Sequence, residues 1–221
     1  MQHFKAAIFD MDGLLIDSEK LAFDAFKVTC ERYNIGDQSH IFYQCVGTNP
    51  ALGESILKES LDSLIDHKEF SREWDKLYRS LAHERPIPLK QGANELLTHL
   101  RSSQIPMAIA TSSKTEHARL KLQSSGILDF FEFIIGGDQV TNSKPNPEVY
   151  LKTAASLNLK SSECIAFEDS PNGVKSAVAA GMTVVQIPDL ITPNEDLLKL
   201  GHIVLNNLSD AIHYQFKIHD M

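Results

Sequence analysis

The sequence predicts an α/β fold, in which a doubly wound, Rossmann-like and mostly parallel sheet contains an inserted all-helical domain. Three observations lead to this prediction. Short, nearly continuous apolar runs recur along the chain, helix-like segments separate the later runs, and one long stretch has amphipathic patterns without a strand. Strands buried on both faces have continuous apolar sequences, and their alternation with helices is typical of a parallel sheet covered on both sides.

The individual elements follow from these runs. We predict strands at residues 6–9, 105–110, 131–135, 164–167, 183–187 and 202–205. Between the later strands, segments of ten or more residues with helical character predict helices at residues 115–124, 147–157 and 171–180.

The stretch from about residue 18 to residue 85 breaks this alternation. Its apolar residues, such as Phe70 and Trp74, recur at the spacing of one helix face. Pro86 and Pro88 then prevent a helix from continuing. We therefore expect a helical domain over residues 17–86, inserted into a sheet domain formed by residues 1–16 and 87–221.

The composition disfavours several classes of protein. The chain has 221 residues, of which 43% are hydrophobic, and it carries 21 basic against 29 acidic side chains, for a formal net charge of −8. An excess of acid disfavours nucleic acid polymers and anionic membranes as partners, and no apolar run approaches the roughly 18 residues of a membrane span. The three cysteines lack the spacing of a disulfide framework or a zinc site. We expect a soluble, cytoplasmic protein that is a monomer or weak dimer.

Two acidic residues follow the first predicted strand, in the order Asp10-Met11-Asp12-Gly13. Ligands of open parallel sheets bind outside the carboxyl ends of the strands, where both carboxylates are expected. Gly13 can adopt a backbone conformation that a side chain would forbid, so the two acids can point at one centre from different positions. By itself, the pattern fits a calcium loop or a turn equally well.

The strand at residues 105–110 is followed by Thr111-Ser112-Ser113. Hydroxyl and backbone N–H groups at the start of a helix suit an anionic oxygen, because helix N-termini carry partial positive charge. Ser113 and Glu116 also have the spacing of a capping box, so a well-capped helix is the alternative interpretation.

A lysine lies in the loop after the strand at residues 131–135. Pro145 favours an extended conformation for Lys144, while Asn146 and Pro147 suit the N-cap and the first position of the next helix. The ammonium group of Lys144 is therefore expected to be held in place.

A second pair of acids, Glu168 and Asp169, follows the strand at residues 164–167, and Ser170 and Pro171 begin the next helix. Together with the first pair, they place four carboxylates at one edge of the sheet. Like charges repel by about 4 kcal/mol per pair at about 4 Å and an effective dielectric constant near 20. A cation is therefore required, and hard oxygen ligands without His or Cys indicate Mg²⁺.

Four motifs in this order resemble those of the haloacid dehalogenase superfamily of aspartate-dependent phosphotransferases. The insertion after the first motif resembles the α-helical cap of the β-phosphoglucomutase-like branch. The motifs are residues 10–19, Thr111-Ser112-Ser113, Lys144-Pro145 and residues 167–173.

The resemblance implies how the chemistry is divided. Asp10 would be the nucleophile that forms an aspartyl-phosphate, and Asp12 would be the general acid and then the general base. Thr111 and the Ser112 N–H would hold phosphoryl oxygens. Lys144 would neutralise the nucleophile and the phosphoryl group.

The resemblance also implies Mg²⁺ as the cofactor. The side chains of Asp10 and Asp169 would bind it directly, together with the backbone carbonyl of Asp12. Glu168 would act through a water or as an outer ligand.

The family includes dehalogenases, phosphonatases, mutases and phosphatases. Dehalogenases lack the counterpart of Asp12, and no segment indicates the Schiff-base lysine of the phosphonatases. The β-phosphoglucomutase pattern has a histidine shortly after the first motif, whereas residues 18–27 contain none. We therefore predict a Mg²⁺-dependent phosphatase for a small phosphorylated metabolite, such as a sugar phosphate or a nucleoside monophosphate. The alternatives are a sugar-phosphate mutase and a non-catalytic phosphate-binding regulatory protein.

Substrate choice is expected to lie in the cap, because closing a lid supplies contacts beyond the phosphate. Thr48 and Asn49 are the candidate substrate-binding residues, although Asn49 and Pro50 equally suit the start of a helix. Trp74 and its aromatic neighbours are interpreted as cap core.

Overall fold

The chain folds into two compact units in a computed structural model, which describes residues 3–46, 48, 50–84, 86–214 and 217–218. One unit comprises Met1–Ile16 and Pro88–Met221, and the other comprises Asp17–Ile87. The first division coincides with the expected domain boundary, and the second lies one residue beyond it.

The first unit is built on a six-stranded parallel sheet with the strand order β4-β3-β2-β5-β6-β7. A separate two-stranded parallel pair joins β1 to β8. The strands are β1 (His3–Phe4), β2 (Ala6–Phe9), β3 (Met107–Ala110), β4 (Phe133–Ile135), β5 (Cys164–Glu168), β6 (Thr183–Gln186), β7 (Ile203–Val204) and β8 (Lys217–Ile218).

The central strands are apolar because the sheet is covered on both faces. Every residue of β2, β3 and β5 is buried. Phe9 of β2 lies opposite Phe167 of β5, and their rings stack with centroids 4.8 Å apart. The six predicted strands all form, and the predicted doubly wound sheet is confirmed.

Helices connect the strands of this unit. They are α5 (Ala93–Ser102), α6 (Thr115–Ser124), α7 (Glu148–Ser156), α8 (Pro171–Ala179), α9 (Glu195–Leu198) and α10 (Asp210–His213). Three of them occupy the predicted helical segments. Helices α9 and α10 have four residues each, too short to produce a helical period in the sequence.

The second unit contains four helices among its described residues. They are α1 (Ser18–Arg32), α2 (Ser39–Cys45), α3 (Pro50–Leu61) and α4 (His67–Glu84). Phe26 and Phe70 are fully buried in its core, with Trp74 packed against them. The Trp74 indole also donates a hydrogen bond to the Ala22 carbonyl, at 2.9 Å. These contacts confirm the interpretation of Trp74 as core. No helix within the described ranges is long and apolar enough to cross a membrane.

Candidate active site

The carboxyl ends of the central strands bring the predicted acids together. Asp10 follows β2 directly and its backbone N–H donates to the Phe167 carbonyl of β5, at 3.0 Å. This hydrogen bond continues the strand pairing as far as the acid. Oxygen atoms from Asp10, Glu168 and Asp169 all lie within 4.8 Å of one another.

Gly13 makes room for this cluster. Its φ of +82° lies in the left-handed region, where a side chain is strained. A Cβ at this position would also stand 2.6 Å from Asp169 Oδ2. Both observations agree with the role expected of Gly13, which lets the loop after β2 pass close to the second pair of acids.

Lys144 is buried between two carboxylates. Its Nζ donates to Asp10 Oδ1 and to Glu168 Oε1, at 2.6 Å each, and to the Ala110 carbonyl, at 2.9 Å. The peptide bond between Lys144 and Pro145 is cis. The side chain of Lys144 is only 6% exposed, and the ammonium group is held in place, as we expected from the two prolines that follow it.

The helix after this loop begins one residue later than expected, at Glu148. Asn146 nevertheless caps it, because its Oδ1 accepts from the Glu148 N–H at 3.0 Å. A shift of one residue is within the usual uncertainty of helix boundaries.

Glu168 fixes the other side of the ammonium group. Its Oε1 also accepts from the Tyr150 hydroxyl at 2.7 Å, while its Oε2 accepts from the backbone N–H of Asp169 and from the Ser170 hydroxyl, both at 3.1 Å. Gly173 of α8 packs directly against this carboxylate, where a Cβ would collide with it. Glu168 therefore positions Lys144, and the outer metal role that we predicted for it stays a prediction.

Burial and charge shift the pKa values of these groups in opposite directions. Burial raises the pKa of Asp10 to about 7, because the cost of desolvating the carboxylate exceeds the attraction of Lys144, and Glu168 adds repulsion. Burial by itself lowers the pKa of Lys144, but the carboxylates of Asp10 and Glu168 more than reverse this effect and leave it above its ordinary value. Lys144 is thus a permanent cation beside Asp10.

The carboxylate of Asp12 has two partners that lie on the segment after β3. Its Oδ2 accepts from the Ser113 hydroxyl at 2.8 Å, and its Oδ1 pairs with Lys121 Nζ of α6 at 2.7 Å. The predicted capping box of Ser113 and Glu116 is therefore wrong, because the Ser113 hydroxyl is directed at Asp12. Helix α6 begins after Lys114, and Asp138 Oδ1 instead accepts from the first backbone N–H, at Thr115.

The predicted phosphate-binding residues lie beside this group. Thr111 is buried at the end of β3, and its Oγ1 accepts from the backbone N–H of Ser113 at 3.1 Å. Ser112 is exposed. The segment offers a hydroxyl and backbone N–H groups at the same sheet edge as the acids.

A fifth acid lies at this edge of the sheet and was not predicted from the sequence. Asp189 follows β6, and its Oδ1 pairs with Lys90 at 2.6 Å. Its Oδ2 is buried without a hydrogen-bond partner among the described residues, and it stands 3.3 Å from where a Cβ of Gly13 would lie. Its position just after the predicted strand at residues 183–187 is the feature of the sequence that could have identified it.

Two further residues of the site, Lys121 and Tyr150, were also not predicted. They lie inside helices, where no local pattern distinguishes them.

The donor set fits a divalent cation. With every carboxylate ionised, five negative and three positive charges at this edge leave two negative charges, which one divalent cation offsets. Oxygen ligands without nitrogen or sulfur suit Mg²⁺. Asp189 Oδ2, which lies beside Gly13 without a hydrogen-bond partner among the described residues, would be available as an outer acceptor. The charged groups are Asp10, Asp12, Glu168, Asp169 and Asp189, with Lys90, Lys121 and Lys144.

The predicted substrate contacts lie in the helical unit. Asn49 is outside the described residues. Thr48 is half-buried, and its hydroxyl donates to the Cys45 carbonyl at 2.7 Å. It also lines a cavity of about 890 Å³ within this unit, whose walls include Trp74, Tyr78 and Arg72.

The fold and the site together define a class of protein. A buried carboxylate at the end of a central parallel strand, paired with a fixed lysine and adjoining an acidic cluster, is suited to nucleophilic attack on an anionic centre. The family model of the haloacid dehalogenase-like hydrolases matches residues 7–187, and the chain belongs to this family.

Comparison with known proteins narrows the class. A phosphorylated carbohydrates phosphatase of Thermotoga maritima is 33% identical over 206 residues, covering 91% of this chain and 93% of that protein. A Drosophila melanogaster protein provisionally described as a pseudouridine-5′-phosphatase is 33% identical, covering 95% and 92%. Among solved structures, a T. maritima protein provisionally described as a β-phosphoglucomutase superposes with a TM-score of 0.78 at 29% identity, covering 96% and 97%. The chain is therefore an enzyme of the phosphomonoesterase class.

Proposed function

We propose that this protein is a Mg²⁺-dependent phosphatase that hydrolyses a small phosphomonoester through an aspartyl-phosphate on Asp10. The observation that carries the proposal is the buried Asp10 carboxylate, whose Oδ1 lies 2.6 Å from the fixed Lys144 ammonium and within reach of Asp169. Phosphatases at 33% identity over nearly the whole chain support the reaction type.

In the first half-reaction, a carboxylate oxygen of Asp10 attacks phosphorus and the bond between phosphorus and the ester oxygen breaks. Asp12 enters this step in its protonated form and donates that proton to the departing oxygen. In the second half-reaction, water attacks the same phosphorus, Asp12 accepts the proton of that water, and the bond to Asp10 breaks. Inorganic phosphate and the free enzyme result, with every proton returned.

Charge is the main obstacle to this attack, because both reactants are anionic. Lys144 contacts the nucleophile directly and stays protonated, so it offsets part of the repulsion throughout. Thr111 and the Ser112 N–H would bind phosphoryl oxygens on the other side. Burial of Asp10 keeps its carboxylate from being solvated by bulk water, which strengthens each of these interactions.

The residues that would hold Mg²⁺ are Asp10 and Asp169 through their side chains and Asp12 through its backbone carbonyl, with Glu168 and Asp189 as outer ligands. When bound, the cation neutralises charge on the phosphoryl oxygens and helps to orient them.

We propose that the helical unit determines the choice of substrate. Its cavity combines Trp74 and Tyr78 with the Arg72 cation, a mixture that suits a sugar or nucleoside carrying an anionic group. Thr48, on the wall of this cavity, remains our candidate contact. The named substrates of the relatives, phosphorylated carbohydrates and pseudouridine-5′-phosphate, belong to these two classes.

A sugar-phosphate mutase is the second candidate, favoured by the similarity to the solved T. maritima structure. The absence of a histidine from residues 18–27 favours transfer to water instead. The two reactions differ in their products, since only hydrolysis releases inorganic phosphate.

The test is to incubate the protein with sugar phosphates and nucleoside monophosphates and to measure both inorganic phosphate and isomerised product. We expect phosphate release that requires Mg²⁺, disappears on chelation and is abolished by Asp10→Asn. The matched control is Asp196→Asn, at an exposed acid that forms an ion pair with Lys199, three residues further along the chain. Isomerised product without free phosphate would establish the mutase, and no turnover of any substrate would refute both.

A further inference from the structure

The Asp12 carboxylate is held at both oxygens by side chains of one segment. Ser113 Oγ donates to Oδ2 at 2.8 Å, and Lys121 Nζ donates to Oδ1 at 2.7 Å. The side chains of Lys121 and Asp12 are 18% and 20% exposed, so the pair is largely withdrawn from solvent. A charge-assisted hydrogen bond in such surroundings is stronger than one at the surface.

Lys121 is itself fixed by the helix that carries it. Ala118 and Leu122 on either side of it are fully buried, which sets the rotation of α6. Asp138 accepts from both the backbone N–H and the hydroxyl of Thr115, at 2.7 and 2.8 Å, and so fixes the first turn. Helix α6 therefore holds the Lys121 side chain in a fixed position from which its ammonium group contacts Asp12.

We propose that Lys121 is a positioning residue, which sets the orientation of the Asp12 carboxylate for proton transfer to and from the reacting oxygen. Because the two donors bind different oxygens, rotation of the carboxylate about its Cβ–Cγ bond would break at least one hydrogen bond. This proposal rests on the proposed function, in which Asp12 exchanges a proton with the leaving group and then with water. A misdirected carboxylate would fail at both steps.

The test compares two kinds of leaving group, because alkyl and aryl leaving groups differ in how much they need a proton from Asp12 in order to depart. An alkyl phosphate needs protonation of the departing oxygen, whereas an aryl phosphate such as p-nitrophenyl phosphate leaves as a stabilised anion. The value of kcat/KM reports only the steps up to formation of the aspartyl-phosphate. For Lys121→Met we expect kcat/KM to fall by about 10²-fold for an alkyl phosphate and by less than about tenfold for the aryl phosphate.

The second half-reaction gives an independent readout. Water needs Asp12 as its base whatever the first substrate was, so kcat of Lys121→Met should fall for both substrates. With the aryl phosphate, we expect a burst of phenolate followed by a slower steady state. Lys121→Arg should restore most of the alkyl activity, because a guanidinium can still donate to Oδ1.

Two variants serve as controls. Arg119→Met removes a positive charge from the same helix at an exposed position, and both kcat/KM values should remain unchanged. In the Asp12→Asn background, Lys121→Met should cause little further loss, because the residue it positions is already inactive. If Lys121→Met does not fold, Lys121→Gln is measured in its place.

The outcomes separate the proposal from the function on which it rests. If the wild-type enzyme releases phosphate, and Lys121→Met and Lys121→Gln lower kcat/KM equally for the two substrates, Lys121 has no positioning role and the phosphatase assignment stands. The same conclusion follows if the loss in the Asp12→Asn background is as large as in the wild type. If the wild-type enzyme releases no phosphate from either substrate, the proposed function fails and this proposal fails with it.

Discussion

At the scale of single residues, the site depends on a buried cation between buried anions. Lys144 contacts Asp10 and Glu168 at the same distance, and neither carboxylate has enough solvent contact to be hydrated instead. A buried ion pair contributes little net stability, but removal of one partner leaves the other charge uncompensated. We therefore expect loss of Lys144 to disturb the packing of the site, in addition to the reaction proposed for it.

We expect Lys144→Met to lower the rate of phosphate release by roughly 10²–10³-fold, because the Asp10 nucleophile and the phosphoryl group lose their fixed counter-charge. The same change should lower the free energy of unfolding by about 3–5 kcal/mol, since two buried carboxylates lose the cation that they share. Steady-state kinetics and urea unfolding measure the two effects. Lys152→Met, at an exposed lysine of α7 that donates to the Gln139 carbonyl, is the control. Equal stability of the Lys144→Met and Lys152→Met proteins would contradict this account.

At the scale of elements, the loop that carries Lys144 is tied to the start of α7. The Glu148 carboxylate accepts from the backbone N–H groups of Thr141 and Asn142, at 2.7 and 2.8 Å, and from the Asn142 side chain, at 3.0 Å. The loop thus closes on the first residue of the helix that follows it. The position of Lys144 is therefore fixed both by these hydrogen bonds to Glu148 and by the contacts of Lys144 with Asp10 and Glu168.

The hydrogen bonds to Glu148 predict that the stability of the protein depends on pH in the acidic range. The N–H donors of Thr141 and Asn142 lower the pKa of Glu148 below its ordinary value of 4.5, so the native state favours the ionised form. The resulting stabilisation is complete above pH 4.5 and is lost as the pH falls through the lowered native pKa. We expect Glu148→Gln to be less stable at neutral pH and to show a smaller loss of stability on acidification than the wild type.

Thermal unfolding of both proteins between neutral pH and pH 3 measures this difference. Glu116→Gln, an exposed acid in the first turn of α6, is the control. Parallel curves for the wild type and Glu148→Gln would show that Glu148 does not bind protons differently in the two states.

At the scale of the whole molecule, the candidate functional groups are divided between two compact units. The candidate metal and phosphate groups all belong to the sheet unit, whereas the cavity and Thr48 belong to the helical unit. The chain as a whole carries a net charge of −8, which repels a phosphate ester. Under the proposed function, an anionic substrate would therefore depend on local cations, namely Lys144 and the proposed Mg²⁺, because the overall charge opposes its binding.

This division predicts that damage to the helical core leaves cation binding intact. Phe26 is fully buried against Phe70 and Trp74, so Phe26→Ala should destabilise the helical unit by about 3–5 kcal/mol. Hydrogen exchange at α1 and α4 should quicken, while titration with Mn²⁺ followed by electron paramagnetic resonance should give an unchanged affinity. A large loss of Mn²⁺ affinity would contradict the assignment of the metal groups to the sheet unit. Phe23→Leu, at a partly buried neighbour in the same unit, is the conservative control.

The sequence by itself determined the class of fold and the helical insertion, and it selected the candidate reactive groups, which the structure brings to one edge of the sheet. These depend on local signals: continuous apolar runs for buried strands, helical spacing for the insertion, acids directly after a strand, and a lysine followed by two prolines in a loop between a strand and a helix. Because the carboxyl ends of parallel strands meet at one edge, the position of Asp10 and Glu168 along the chain was enough to predict that they lie together.

Only the tertiary structure decided which partners these groups have. Ser113 matched a local capping pattern but directs its hydroxyl at Asp12, a residue 101 positions away. Lys121 and Tyr150 lie in helices, and nothing near them in the sequence distinguishes them from other helical residues. Lys121 of α6 contacts Asp12 after β2, and Tyr150 of α7 contacts Glu168 at the end of β5, so both contacts depend on how the helices pack on the sheet. That packing is determined by the whole sheet unit and cannot be predicted from any single segment of the chain.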